Sequence, residues 1–237
     1  MTRRSLSGRG EPQLALQDID QPIPGTGEPQ LAMQGVNPVT SRGWYRPRNL
    51  PHFDGAQKLQ CITYRLADSL PVHVAERRAD ERDSKADPAY RKRIDRYLDT
   101  GHGSCCLSHS EIAQAIVDTW TRFDPERYRL HAWVVMPNHV HVLIAIQAAW
   151  SLAKIVQSWK SWTGKRIKQV TTLSTGWQRD YWDRYIRDEM HYLRAIAYIH
   201  ANPVQAGLCR TPEEWLWSSA NIHYRGELGL ASPRGSP

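Results

Sequence analysis

Apolar and polar positions change period several times along this 237-residue chain. LQCITYRL (59–66) is a β-branched and aromatic run that predicts the first strand. ADPAYRKRIDRYLDT (86–100) predicts a basic helix, with Asp87 placed as its cap and Pro88 in its first turn. Ser110 precedes EIAQAIVDTW (111–120), where Ile112, Ala115, Ile116 and Trp120 form a helical stripe. YRLHAWVVM (128–136) and HVHVLIAI (139–146) predict two strands, and the short Pro137-Asn138 join makes them an antiparallel hairpin. SLAKIVQSWKSWTGKRIKQ (151–169) predicts a second basic helix starting near Ser151, and GWQRDYWDRYI (176–186) an extended aromatic run. RDEMHYLRAIAYIHANP (187–203) predicts a helix opened by acidic residues and stopped at Pro203. TPEEWLWSSANIHY (211–224) is expected to pack Trp215 and Trp217 on the core. Helices interleaved with an antiparallel hairpin predict an α+β sandwich, helices on a single sheet.

The two ends lack this periodicity. Residues 1–45 are rich in Gly, Pro, Gln and Arg and poor in large apolar groups, so they bury too little surface to offset the entropy of ordering. Within them GEPQLALQ (10–17) recurs as GEPQLAMQ (27–34), too few copies for a solenoid. The expected organisation is a disordered tail at 1–45, a folded domain at 46–224 beginning near Arg46, and a flexible end at 225–237.

Composition then narrows the partner. The chain carries 31 Lys+Arg against 24 Asp+Glu, a formal charge of +7, which suits either a polyanionic partner such as nucleic acid or a solvated basic surface. Ten tryptophans and ten tyrosines stand beside two phenylalanines; flat rings with a polar edge suit base stacking as well as a core. Cys61, Cys105, Cys106 and Cys209 show no CxxC spacing, which argues against a structural zinc site, and their pattern fits a reducing cytoplasm rather than a disulfide framework. No apolar run approaches the ~18 residues of a membrane span, so no membrane partner is expected and the cytoplasm, at the nucleoid, is the expected location.

The sharpest chemistry lies in MPNHVHVLI (136–144). Side chains alternate along a strand, so His139 and His141 share one face and Val140 points to the other. Two such imidazoles can ligate one cation, or they can be partly exposed residues with no ligand. In AYIHANP (197–203), Tyr198 and Asn202 are four apart and share a helix face. On spacing alone Tyr198 is equally a core tyrosine with its hydroxyl at the surface. Pro203 disfavours helical geometry at Asn202, which places that residue in the last turn or just past it.

ITYRLADSLP (62–71), HAWVVMPNHVHVLI (131–144), GWQRDYWDRYIRDE (176–189), YIHANPVQAGL (198–208) and WLWSSA (215–220) together resemble the IS200-like transposases, most closely their REP-associated tyrosine transposase branch. The resemblance spans roughly 44–224. It implies a ferredoxin-like fold with the histidines on a central strand. It implies that His139 and His141 hold a divalent ion, Mg²⁺ or Mn²⁺, with Asn202 as third ligand and Tyr198 as nucleophile. Tyr181, Tyr185 and Tyr192 are nearby phenols without an amide at i+4. The implied activity is metal-dependent cleavage and joining of single-stranded or hairpin DNA through a phosphotyrosine, by a monomer or a homodimer. Arg91, Lys92 and Arg93 on the first basic helix, and Lys154, Lys160, Lys165, Arg166 and Lys168 on the second, are the expected phosphate contacts. Trp159, Trp162, Trp177 and Trp182 are candidates for stacking or for the core. Two other readings stand beside this one: a non-catalytic hairpin-binding protein of the same fold, and a hydrolase recruiting Asp183, Asp188 or Glu189 to the histidine pair.

Overall fold

The computed structural model describes residues 43–46, 52–55, 58–71, 74, 88–172 and 176–225. The repeat-bearing segment 1–42, the expected cap Asp87 and the end at 226–237 lie outside the described residues. Strands β1 (Gly43–Tyr45) and β2 (His52–Asp54) pair antiparallel. Strand β3 (Leu59–Arg65) opens the main sheet, followed by helices α1 (Pro88–Asp99) and α2 (Ser110–Thr121). The β4 (Tyr128–Val135) and β5 (His139–Ile146) hairpin comes next, then α3 (Leu152–Val170), β6 (Trp182–Tyr185) and α4 (Glu189–Gln205).

The main sheet runs β4-β5-β3-β6, every neighbour antiparallel. Two strand–helix–strand crossovers interlock in it: β3 to β4 leaps over β5, and β5 to β6 leaps over β3. That is the ferredoxin-like arrangement, with β5 and β3 central. Strand β5 is buried along almost its whole length because both edges are paired and both faces are covered.

The two faces have different covers. Val140, Val142 and Ile144 of β5 and Ile62 and Tyr64 of β3 meet the apolar stripes of α2 (Ile112, Ile116, Trp120) and α3 (Ile155, Val156, Trp159). Large rings fill this side; Trp120 Nε1 donates to Tyr64 Oη (3.2 Å) and Trp159 Nε1 to Tyr128 Oη (3.0 Å), whereas the Trp133 Nε1 is buried without a hydrogen-bond partner among the described residues. On the opposite face Ala132, Val134 and Leu143 pack under Ala195 and Ile199 of α4. A register shift between Leu130 and Ala132 lets β4 serve both layers. The bulge turns Leu130 and Trp133 to one face and Ala132 and Val134 to the other.

Several expectations are displaced. Residues 43–45 form a strand, so ordered chain precedes Arg46. Helix α4 does not stop at Pro203 but runs to Gln205. Proline there removes only its own N–H, while the Ala206 N–H still reaches the Asn202 carbonyl (3.0 Å) and Leu208 that of Pro203 (2.9 Å). Ser110 does not precede α2 but is its first residue, with His109 at the N-cap. In 176–186 only four residues form the strand proper. The 215–221 segment adds to the free edge of β4, where Val135 N–H bonds the Trp217 carbonyl (2.8 Å) and Ser219 N–H that of Trp133 (3.0 Å).

Candidate functional site

The histidine pair is built by strand geometry and fixed by its neighbours. His139 and His141 point from β5 toward the α4 side, both almost fully buried. Their Nε2 atoms face each other at 3.1 Å. The other nitrogen of each ring is committed. His139 Nδ1 lies 2.8 Å from Asn138 Oδ1, and His141 Nδ1 lies 2.7 Å from Thr63 Oγ1, its cross-strand partner on β3.

The Asn138 amide cannot flip, because its Nδ2 donates to the Leu98 carbonyl (3.1 Å) and the His102 carbonyl (2.9 Å). Its Oδ1 is therefore an acceptor, the His139 proton sits on Nδ1, and the His139 Nε2 lone pair is turned inward. The loop that supplies the His102 carbonyl needs Gly103. Its φ is +88°, and a Cβ there would stand 2.5 Å from the Asp68 carbonyl oxygen. Burial, and for His139 the neighbouring imidazole as well, hold both rings far below the usual 6.5, His141 down to about 3. Both are neutral and able to donate lone pairs.

Helix α4 brings the remaining groups. Asp188 caps it by accepting from the His191 N–H (2.7 Å), and its apolar face docks through Ala195 and Ile199. One turn apart, Tyr198 and Asn202 then reach the pair. The Tyr198 ring lies 5.3 Å from the His141 ring, steeply inclined at 76°. The buried Asn202 side chain stands against both imidazoles and the Tyr198 phenol, and its Nδ2 donates to the Tyr198 carbonyl at 3.5 Å. The four residues singled out from the sequence meet at one point.

Besides Thr63 and Asn138, the sequence reading missed a carboxylate beside the tyrosine. Tyr198 Oη donates to Asp95 Oδ2 at 3.2 Å, from α1. Burial, with the Asp95 and Asp99 charges added, pushes the Tyr198 phenol well above its usual 10, and the Asn202 hydrogen bond draws it back only in part. Burial pushes Asp99 up to about 6. Asp95 sits among the charges of a basic helix, where nothing in the spacing marks it. Only the packing of α1 beside α4 does.

The donor set fits a divalent ion. Two neutral nitrogens 3.1 Å apart have the spacing of two ligands of one ion, each ~2.1 Å from it. Among the described residues no three His, Cys, Asp or Glu gather to hold a metal, so an amide, Asn202, is the third donor at hand. The residues of the hydrolase reading are engaged or remote. Asp183 is bonded to His52, Asp188 caps α4, and Glu189 is exposed at the start of that helix.

Other expected residues scatter. Lys92 and Arg93 are exposed on α1, and Lys154, Lys165 and Lys168 on α3; the Arg91 side chain lies outside the described residues. Lys160 and Arg166 have partners of their own. Lys160 Nζ holds the Gln178 (3.0 Å) and Asp180 (2.9 Å) carbonyls, and Arg166 bridges to Glu111 at 2.8 Å. Trp159 and Trp182 are core residues rather than stacking platforms, whereas Trp162 is 64% exposed. Of the other phenols, Tyr192 contacts His131 (3.0 Å), Tyr181 stacks on His52, and Tyr185 lies against Trp44 and Phe53.

Fold and site together define a ferredoxin-like α+β protein with a histidine pair at its centre and a tyrosine poised beside it. Residues 110–202 match the family model described as transposase IS200 like. Two proteins of Haemophilus influenzae are similar. One, provisionally named a REP-associated tyrosine transposase, is 25% identical over 114 residues, 44% of this chain and 65% of that protein. The other, uncharacterised, is 26% identical over 98 residues, 32% of this chain and 54% of that protein. The chain thus spans between half and two thirds of the curated relatives it matches. A solved REP-associated tyrosine transposase bound to a REP hairpin shares the fold, with a TM-score of 0.50 at 18% identity over 79% of this chain and 87% of that one. Thr63 and Asp95 lie outside the matched range. No helix among the described residues is long and apolar enough to cross a membrane.

Proposed function

We propose that this chain cleaves and rejoins single-stranded DNA at a hairpin through a covalent 5′-phosphotyrosine at Tyr198, with Mn²⁺ or Mg²⁺ held by His139, His141 and Asn202. The observation that carries this reading is the convergence of two inward imidazole Nε2 atoms 3.1 Å apart, a buried amide and a phenol from elements far apart in the chain. The ion, when bound, would draw charge from the scissile phosphate oxygens and stabilise the charge that builds in the transition state.

The chain's own residues supply the rest. Thr63 and Asn138 hold the imidazole rings in place and direct their Nε2 atoms inward. Tyr198 Oη attacks phosphorus in line. The bond to the leaving 3′ oxygen breaks, that oxygen takes a proton from water to become a 3′ hydroxyl, and the phenolic proton passes to the Asp95 carboxylate, which already accepts it in a hydrogen bond. The phosphotyrosine keeps the energy of the phosphodiester, so a DNA hydroxyl can reverse the step without ATP.

The test is incubation with hairpin oligonucleotides and Mn²⁺ or Mg²⁺, resolved on a denaturing gel. The wild-type chain gives a DNA–protein adduct, and Tyr198→Phe gives none. An adduct of equal yield in the variant, or cleavage with no attached protein, overturns the nucleophile assignment. The latter result belongs to a water-using nuclease.

A further inference from the structure

A groove of about 840 Å³ lies between α3 and residues 176–181, on the α3 side of the sheet and thus across it from the histidine pair. Its size is at the upper end of ordinary ligand sites, roughly 300–1,000 Å³. The helix wall is a stripe at helical spacing, Gln157, Ser161, Gly164, Lys165 and Lys168, in which Ser161 and Gly164 leave the middle open and two exposed lysines follow at its C-terminal end. The facing wall presents exposed Arg179. Lys160 ties the two walls together through the Gln178 and Asp180 carbonyls. The acidic lining residue Asp180 is answered by His52 at 3.3 Å.

Rings accompany the charges. Half-buried Trp177 lines the groove, held by Nε1 donating to Thr163 Oγ1 at 2.8 Å. Trp162 stands exposed one turn from Lys165, whose Nζ lies 5.8 Å from its ring centroid. A cationic channel with aromatic platforms is the chemistry of an unpaired nucleic-acid strand, phosphates on the lysines and bases on the rings. The groove is also hung on the strand that pairs with the histidine strand. Gln178 N–H bonds the Arg65 carbonyl (2.8 Å), and Arg65 is the register partner of His139.

We propose that this groove, with the exposed Trp162 beside its lining, holds the single-stranded DNA flanking the hairpin, with Lys165, Lys168 and Arg179 on its phosphates and Trp162 and Trp177 on its bases. The inference rests on the DNA reading above but not on cleavage, so binding is measured with the full chain in EDTA. Labelled hairpins are compared with and without an oligothymidylate extension, and with an abasic extension. Wild type binds the thymidylate-extended hairpin more tightly than the bare one. The triple variant K165A/K168A/R179A loses that gain, and its log–log salt slope falls by about 2, at ~0.7 per phosphate contact. Trp162→Ala, at an exposed position, weakens binding of the extended hairpin about tenfold. The proposal is overturned if the extension adds nothing, if the triple variant keeps the gain, or if it loses the bare hairpin equally, since the groove would then grip duplex. It is also overturned if the abasic extension binds as well as thymidylate, or if polyglutamate displaces the extension as readily as free oligothymidylate. Adduct formation on the bare hairpin with Mn²⁺ reads the cleavage assignment separately, so either can fail alone.

Discussion

Tyr198 is held between two opposing demands. Its ring must sit beside His141, yet burial and two carboxylates make its phenol harder to ionise than free tyrosine. Asp95 resolves this if it takes the proton as the new bond forms, because its charge penalises phenolate in the resting state but accepts the proton in the transition state. Asp95→Asn should then lower the rate of adduct formation ~10²- to 10⁴-fold while hairpin affinity in EDTA stays within about twofold. An unchanged rate in single-turnover assays would remove Asp95 from the reaction. The imidazoles give a second prediction at this scale. Their folded pKa values lie below the unfolded 6.5, so the unfolded chain binds more protons on the acid side. The stability they contribute is fully present above pH 6.5 and is lost progressively as pH falls from there toward 3. Urea melts in EDTA at pH 7 and pH 4.5 should show the wild type losing more stability than a His139→Gln/His141→Gln double variant. Equal losses would contradict the buried neutral pair.

At the scale of elements, the β1–β2 pair is anchored by charge as well as by the rings of Trp44 and Phe53 against Tyr185. Buried His52 lies between Asp183, which also accepts the Phe53 N–H (2.9 Å), and Asp180. Burial alone would lower the His52 pKa, but the two carboxylates outweigh it and raise the value to about 9. A raised folded pKa gives stability that is complete below 6.5 and lost as pH rises through 9. Protection of the amides at 43–45 and 52–54, corrected for intrinsic exchange, should fall between pH 7 and 10, and more steeply than that of β5. A constant protection ratio between hairpin and β5 would show that the imidazolium does not anchor this element. The hairpin was invisible in the sequence because each strand is three residues long and alternation needs more than that to register. Strands β4 and β5 and helices α2 and α3 were readable to within a residue or two, because each carries a full-length apolar stripe. Helix α4 was readable in kind but not in its end. Proline signals a stop locally, whereas a final turn needs only the acceptors that Asn202 and Pro203 still offer.

For the whole molecule, the ferredoxin-like order puts β5 and β3 at the centre and lays α4 across one face, so that residues some sixty positions apart converge. Strand alternation alone showed that His139 and His141 share a face. Their meeting with Tyr198 and Asn202 came from resemblance, since no spacing rule joins a strand to a later helix. Asp95, Thr63 and Asn138 were not legible at all, because their roles depend on the packing of α1, the β3–β5 register and two loop carbonyls. Conversely, the basic spacing of α3 does not show that Lys160 holds two loop carbonyls or that Arg166 pairs at the surface with Glu111. The account stands or falls on which oxygen becomes linked to DNA. Proteolysis of the adduct and mass mapping of the DNA-bearing peptide measures this directly. The modified residue should be Tyr198, with no modification when Mn²⁺ and Mg²⁺ are chelated. A nucleotide on Tyr181, Tyr185 or Tyr192, or an adduct of equal yield in EDTA, would contradict it.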